Sequence, residues 1–106
     1  MSHFVKVTSI DNIHERRGTL VTIDGEDIVI FKRNGELFAI SNVCAHQHFS
    51  MLHQGEINGF EVTCPMHGWK YDMRTGKATT GQGKVERFHV RVVGKDVFAE
   101  VSDSSA

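Results

Sequence analysis

The chain has 106 residues, of which 40% are hydrophobic, and a formal net charge of −1. This length predicts one small soluble domain with a single modest core, which excludes a multidomain enzyme with a large active site of its own. The near balance of 12 basic and 13 acidic residues argues against nucleic acid or an anionic membrane as a partner. No apolar run approaches the ~20 residues of a membrane span, and the first residues lack a secretory pattern, so we predict a cytoplasmic protein.

Short runs rich in β-branched and aromatic residues recur along the chain and predict an all-β fold. In chain order they are Phe4–Thr8, Leu20–Asp24, Asp27–Lys32, Leu37–Ser41, Phe60–Thr63, Phe88–Val93 and Val97–Val101. The dipeptides between them accept the positive φ of tight hairpin turns; they are Asp24-Gly25, Asn34-Gly35, Asn58-Gly59 and Gly94-Lys95. This spacing favours an antiparallel β sandwich or small barrel. One short helical turn is expected at Ile10–Arg16.

The strand pattern is interrupted between residue 42 and about residue 79, where the cysteines and the single proline, Pro65, are concentrated. The simplest interpretation is a single domain, 1–106, whose strand scaffold consists of residues 1–41 and 80–106. An inserted subdomain, 42–79, lies between the two halves. We interpret Ala78–Lys84, which is rich in Gly and Thr, as a flexible stretch before the final strands.

Two Cys–His pairs lie in the inserted segment, and 17 residues separate them. They are Cys44-Ala45-His46 and Cys64-Pro65-Met66-His67. Each pair combines a soft thiolate with an imidazole in one short stretch, so together they offer two sulfur and two nitrogen ligands to a metal centre. Such a set suits a tetrahedral structural zinc ion, and it equally suits a Rieske [2Fe–2S] cluster. The alternative, two core cysteines and two surface histidines, requires both spacings to arise by accident.

The residues that follow the second pair distinguish these interpretations. The pattern C-A-H, then C-P-M-H-G-W-K-Y-D-M-R-T-G-K, resembles the Rieske family. The resemblance implies a Rieske-like β scaffold with an inserted two-loop cluster-binding subdomain. It also implies one [2Fe–2S] cluster per chain, with Cys44 and Cys64 on one iron and His46 and His67 on the other. Tyr71 matches a family position whose hydroxyl can bond a cysteine sulfur.

The same resemblance indicates a low reduction potential. High-potential members carry an extra cysteine in each cluster loop, whereas this chain has two cysteines in total. Those members also place a serine, a hydrogen-bond donor to a bridging sulfide, where this chain has Trp69. The missing serine donor lowers the expected reduction potential, and the hydroxyl of Tyr71 offsets part of that decrease. Gly81-Gln82-Gly83 stands where the family often has prolines over the cluster.

The length and the motif together resemble the stand-alone Rieske ferredoxins of bacterial oxygenase systems. This implies an electron carrier that is not itself an enzyme and that receives electrons from a flavoprotein reductase. The recipient would be a terminal oxygenase, docked transiently at the edge formed by His46 and His67. One alternative is a small subunit of a nitrite-reductase-like enzyme. Another is a zinc-stabilised interaction module.

Overall fold

A computed structural model of the protein describes residues 2–44, 50–65 and 68–102. These ranges contain ten β-strands and two single 3₁₀ turns, Ile10–Asn12 and Leu52–Gln54. In chain order the strands are β1 (Ser2–Ser9), β2 (Thr19–Ile23), β3 (Glu26–Arg33), β4 (Glu36–Ser41), β5 (Glu56–Asn58), β6 (Glu61–Thr63), β7 (Lys70–Asp72), β8 (Arg87–Phe88), β9 (Val90–Val93) and β10 (Asp96–Ser102). All strand pairs are antiparallel, and they form three sheets with the orders β1-β10-β9, β2-β3-β4-β8 and β5-β6-β7. The predicted all-β antiparallel fold is confirmed.

The tight turns predicted from the sequence join consecutive strands of the second sheet. Asp24 and Gly25, between β2 and β3, have φ values of 50° and 82°. Asn34 and Gly35, between β3 and β4, have φ values of 53° and 81°. Two successive residues with positive φ form the hairpin turn whose twist matches that of the strands it joins. These turns set the register of β2, β3 and β4.

Strand β3 is covered on both of its faces. Ile28 and Ile30 point into one core, which the second sheet shares with the first. Val29 and Phe31 point into the other core, which also contains Cys44 and Cys64. Successive side chains of a strand face opposite sides, so the continuous apolar run of β3 is the pattern expected of a strand buried on both faces. The second sheet therefore lies between the first sheet and the segment that carries the Cys–His pairs.

The single strand predicted at Phe88–Val93 is wrong as a continuous element. Strand β8 pairs with β4 in the second sheet, whereas β9 pairs with β10 in the first. His89 lies at the corner between them, and its carbonyl accepts a hydrogen bond of 2.9 Å from the amide of Glu100. A strand that passes from one packed sheet to another must bend at the crossing. The β-rich sequence predicts the strands but not this bend.

The inserted segment is more regular than expected, because it contains the complete third sheet. The sequence predicted β6 within Phe60–Thr63 but not β5 or β7, which have three residues each and are too short to show a period. The predicted turn at Asn58-Gly59 is confirmed, with Gly59 at φ 63°. The predicted helical turn is shorter than expected: it ends at Asn12, and Ile13 is extended and buried.

Helices long and apolar enough to cross a bilayer were not found in the described ranges.

Candidate metal centre

Cys44 and Cys64 occupy one buried cluster together with Tyr71. All three side chains are fully buried. They pack among Val29, Phe31, Ile40, Leu52, Val62, Met73 and Val85. Such surroundings exclude water from the two sulfur atoms. Soft thiolates in an apolar environment are the ligand chemistry that iron–sulfur clusters require.

The two ends of the first motif segment (residues 43–50), which follows β4, lie beside each other. Val43 and Ser50 form an isolated antiparallel bridge. The turn Leu52–Gln54 follows directly, and Leu52 is fully buried in the cluster that contains Cys44. The two ends of the first motif segment are therefore paired with each other and anchored in the core.

The second motif segment (residues 64–69) is closed by strands on both sides. Strand β6 ends at Thr63, which pairs with Lys70 at the start of β7. Inside this pair, the amide of Cys64 donates to the carbonyl of Trp69 at 2.6 Å. Gly68, just before Trp69, has φ 72°, a value that L side chains rarely adopt. The second motif segment is thus the connection of a β-hairpin.

Tyr71 connects the two motif segments. It lies on β7 opposite Val62, and it bridges to Ala78 on its other side, so its backbone is held on both edges. Its phenol oxygen lies 3.2 Å from Sγ of Cys44. A thiolate can only accept, so the Tyr71 hydroxyl donates to Cys44 when that cysteine is deprotonated. The predicted contact between Tyr71 and a cysteine sulfur is present, and the cysteine is Cys44.

The stretch Ala78–Lys84, which was predicted to be flexible, is held by hydrogen bonds. The amide of Thr79 donates to the carbonyl of Lys70 at 2.8 Å, and the amide of Lys70 donates to Oγ1 of Thr80 at 3.1 Å. The Thr79 hydroxyl donates to the carboxylate of Glu61. Gly81, at φ 82°, lies against the indole of Trp69, which is half-buried: a Cβ on Gly81 would lie 3.2 Å from that ring. This stretch covers Trp69, although it contains no proline.

Two carboxylates near the motif segments have pKa values below the ordinary range. The Ser50 hydroxyl, followed by that of Thr22, lowers the pKa of Asp27. Hydrogen bonds from Arg74 lower the pKa of Asp72 at the end of β7. Both carboxylates are therefore ionised at neutral pH and act as acceptors.

The predicted ligand set is only partly within the described residues. Cys44, Cys64 and Tyr71 lie together as stated above. His46 and His67 lie outside the described residues, and the described part of the chain contains no group of three or more metal-ligating side chains. Sequence reasoning missed Asn42, which is fully buried two residues before Cys44. In the sequence, an asparagine that follows a predicted strand looks like an ordinary exposed loop residue, so no signal indicated that Asn42 is buried.

The fold and the buried cysteines define a small antiparallel β protein that holds two thiols and a phenol together in one core. Residues 3–95 match the Rieske [2Fe-2S] domain, so the chain belongs to that family. The cofactor is therefore one Rieske [2Fe–2S] cluster, as predicted, and the zinc interpretation is wrong. The two buried thiols and the phenol donor are side chains that fit such a cluster.

Known proteins extend the similarity over most of the chain. The chain is 30% identical over 101 residues to the biphenyl dioxygenase ferredoxin subunit of Pseudomonas sp. (strain KKS102), with 93% of each chain covered. The structure resembles the ferredoxin of carbazole 1,9a-dioxygenase from Nocardioides aromaticivorans IC177, at 27% identity and TM-score 0.84, covering 91% of this chain and 95% of that one. It also resembles a putative NADH-dependent nitrite reductase small subunit from Mycobacterium tuberculosis, at TM-score 0.87 but 16% identity, with 96% and 97% covered. The last likeness concerns the fold alone.

Proposed function

We propose that this protein is a Rieske ferredoxin that carries single electrons from a flavoprotein reductase to a terminal oxygenase. The observation that carries the proposal is the buried contact between Tyr71 and Cys44, in a chain that belongs to the Rieske family. The relatives named above as ferredoxins belong to dioxygenase systems, and the chain covers nearly all of their length. A carrier of this kind transfers electrons and performs no substrate chemistry, so the protein is not itself an enzyme.

The proposed ligands are Cys44 and Cys64 on one iron and His46 and His67 on the other. When bound, the cluster accepts and returns one electron, and its two neutral imidazoles make that easier than four thiolates would. The chain's part is to hold the sulfur atoms of Cys44 and Cys64 away from water in the apolar core described above. Ligation to iron would keep both cysteines deprotonated. Tyr71 donates to Cys44, which withdraws negative charge from the sulfur and favours the reduced state.

The proposed domain organisation separates a strand scaffold from the segment that holds the proposed ligands. Residues 1–41 and 80–106 form the scaffold, and residues 42–79 form the cluster-binding subdomain of a single domain. The third sheet, from Glu56 to Asp72, lies wholly within that subdomain. Two further proposals accompany this one: partners dock transiently at the edge carrying His46 and His67, and the protein works in the cytoplasm at a low potential.

The likeness to nitrite reductase small subunits does not favour that alternative. Its sequence identity is 16%, which supports a shared fold and no more, whereas the dioxygenase ferredoxin subunit reaches 30%. Fold likeness alone does not carry function. The ferredoxin role is therefore the one we develop.

The ligand set is tested by replacing Cys44 with Ser and His67 with Ala. We expect each variant to lose the visible absorption of the cluster and nearly all of its bound iron, because the cluster and the folding of its segments are linked. The EPR spectrum of the dithionite-reduced wild-type protein supplies the reference signal. Glu36→Gln, at the exposed first residue of β4, is the control and keeps the full spectrum. A Cys44→Ser protein with an unchanged spectrum would contradict the assignment.

The carrier role is tested by exchange into a defined dioxygenase system. The purified reductase and oxygenase of a biphenyl dioxygenase system are combined with this protein in place of their own ferredoxin. Substrate oxidation that depends on this protein, and that Cys44→Ser fails to support, is the expected result. If the cluster is intact but its reduced form transfers no electron to the oxygenase, the protein does not serve that class of partner.

A further inference from the structure

Asn42 is the one buried polar residue within residues 2–44, 50–65 and 68–102. It follows the last residue of β4 and precedes Cys44 by two positions. A buried amide loses its hydrogen bonds to water, so it persists in a core only when the protein replaces them. The partners of Asn42 therefore show what the buried amide holds in place.

The backbone of Asn42 connects three parts of the chain. Its amide donates to the carbonyl of Asp27, at the start of β3, at 2.9 Å. Its carbonyl accepts from the amides of Met51 and Leu52, each at 3.1 Å. These bonds join the residue before the first motif segment to the residues after it, and both to the second sheet.

The side chain of Asn42 repeats the same connection. Nδ2 donates to Oγ of Ser50 at 2.7 Å and to Nδ1 of His53 at 2.9 Å. Oδ1 accepts from the backbone amide of His53 at 2.6 Å. Both donor hydrogens and the carbonyl oxygen of the amide are thus used, and all the partners lie on the returning side of the first motif segment.

A second layer ties this arrangement to the scaffold. The Ser50 hydroxyl, which accepts from Asn42, donates to Oδ2 of Asp27 at 2.6 Å. The other oxygen of Asp27 accepts from the Thr22 hydroxyl at 2.8 Å. The chain of bonds runs from Asn42 through Ser50 and Asp27 to Thr22, so it spans the first motif segment, β3 and β2.

We propose that Asn42 is a positioning residue: it fixes both ends of the first motif segment and thereby sets the position of Cys44 as a ligand of the iron–sulfur cluster. The inference rests on the ligand assignment proposed above. With Asn42 in place, the segment that carries Cys44 and His46 starts and ends at fixed positions before the cluster is bound. Less conformational freedom is then lost on binding, and the cluster is held more tightly.

The test compares Asn42→Ala with a variant that weakens the fold elsewhere. Val97 is fully buried in the core between the first and second sheets, remote from Cys44 and Cys64, so Val97→Ala is the matched control. Both proteins are loaded with the cluster, and the loss of visible absorbance is followed after a ferrous chelator is added. Thermal unfolding of the cluster-free forms, followed by circular dichroism, measures the general loss of stability.

We expect Asn42→Ala to lose its cluster about ten- to a hundredfold faster than wild type, the range typical of groups that orient metal ligands. Val97→Ala should lose it at close to the wild-type rate despite a similar fall in melting temperature. The reduction potential and the EPR g values should change in Asn42→Ala and not in Val97→Ala. A merely structural role would move neither of these two readouts.

Ser50→Ala is the milder variant and carries the test if Asn42→Ala does not fold. It removes one partner of Asn42 and the link to Asp27, and we expect cluster loss about fivefold faster than wild type, the consequence of one lost hydrogen bond. Equal rates of cluster loss in Val97→Ala and in the Asn42 or Ser50 variant would overturn the positioning role. The ligand assignment would survive that result, provided that Cys44→Ser still fails to bind the cluster.

Discussion

The first motif segment is anchored by backbone bonds together with a buried side-chain network, whereas the second is anchored mainly by backbone. Around the first, the amide of Asn42 and the hydroxyl of Ser50 join the returning chain to Asp27. Around the second, the pairing of β6 with β7 and the bond from Cys64 to Trp69 close a hairpin. Each arrangement places one cysteine in the same buried cluster.

This difference determines how strongly a single substitution should destabilise each motif segment. Backbone pairing does not depend on particular side chains. The second motif segment should therefore tolerate substitutions that introduce neither a steric clash nor a buried charge. A buried side-chain network depends on every member, since removing one partner leaves another polar group buried and unsatisfied. We therefore expect the first motif segment to be the more sensitive to polar substitutions.

The largest effect on stability is expected from Gly55→Ala, because Gly55 packs between the turn Leu52–Gln54 and the end of β6. An added Cβ would lie 2.4 Å from the carbonyl oxygen of Thr63 and 3.1 Å from that of Leu52. Backbone atoms on both sides would have to move, which costs about 2 kcal/mol of unfolding free energy. Urea denaturation measures this loss, and cluster retention should fall with it.

Gly59→Ala is the matched control for that experiment. Gly59 has φ 63° and nothing within 4 Å of an added Cβ, so its substitution tests backbone conformation without a clash. We expect a smaller loss, about 1 kcal/mol. An equal loss in both variants would show that the space around Gly55 does not limit the fold.

Tyr71→Phe tests the contact between β7 and Cys44 of the first motif segment. The ring is retained, so packing is preserved, while the hydroxyl 3.2 Å from Sγ of Cys44 is lost. We expect a lower reduction potential, because one donor to a ligand sulfur is gone, and a stability loss of about 1 kcal/mol. Protein-film voltammetry measures the potential.

Thr19→Val provides the comparison for Tyr71→Phe. It removes a hydroxyl that donates at 2.9 Å to the carbonyl of Asn12, on the scaffold. Its stability should fall by a similar amount, with no change in potential. A potential that is the same in Tyr71→Phe as in wild type would contradict the role of the phenol.

Asp27→Asn weakens the first motif segment without touching the second. Hydrogen bonds from Ser50 and then Thr22 hold the pKa of Asp27 below its ordinary range in the folded protein. Stabilisation from a lowered carboxyl pKa is complete above the unfolded value, and it is lost as the pH falls through the folded value. We expect the variant to be at most about 1 kcal/mol less stable at pH 7.

The pH dependence separates this effect from general damage. Urea denaturation at pH 7 and at pH 3 should show the difference between Asp27→Asn and wild type shrinking at the lower pH, since protonation removes the advantage of the carboxylate. A difference that stays constant between the two pH values would mean that charge on Asp27 contributes nothing.

Arg74→Ala should have the smallest effect. Arg74 donates to Asp72 at 2.9 Å and lies over the ring of Phe60 at 4.4 Å, but its side chain is 53% exposed. Exposed ion pairs contribute little because water and salt screen them. We expect a melting temperature within error of wild type and an unchanged cluster spectrum. A large loss would mean that the second motif segment depends on side chains after all.

Particular elements show which parts of the fold could be predicted. Asn34-Gly35 and Asp24-Gly25 carry a local conformational preference, so their hairpins follow from sequence alone. The bend at His89 does not, because it depends on which sheet accepts each half of the strand. β5 and β7 were missed because three residues are held in a sheet by their neighbours rather than by a pattern of their own.

The sequence by itself determined the all-β class, the hairpin turns and the family, because spacing and turn chemistry are local properties. It also indicated that Tyr71 would contact a cysteine sulfur. Only the tertiary structure decided that this sulfur belongs to Cys44, and that β3 is covered on both faces. It alone brought Asn42, Ser50 and Asp27 into one network. Hydrogen bonds between residues far apart in the chain form only when the chain folds, so no local sequence pattern predicts them.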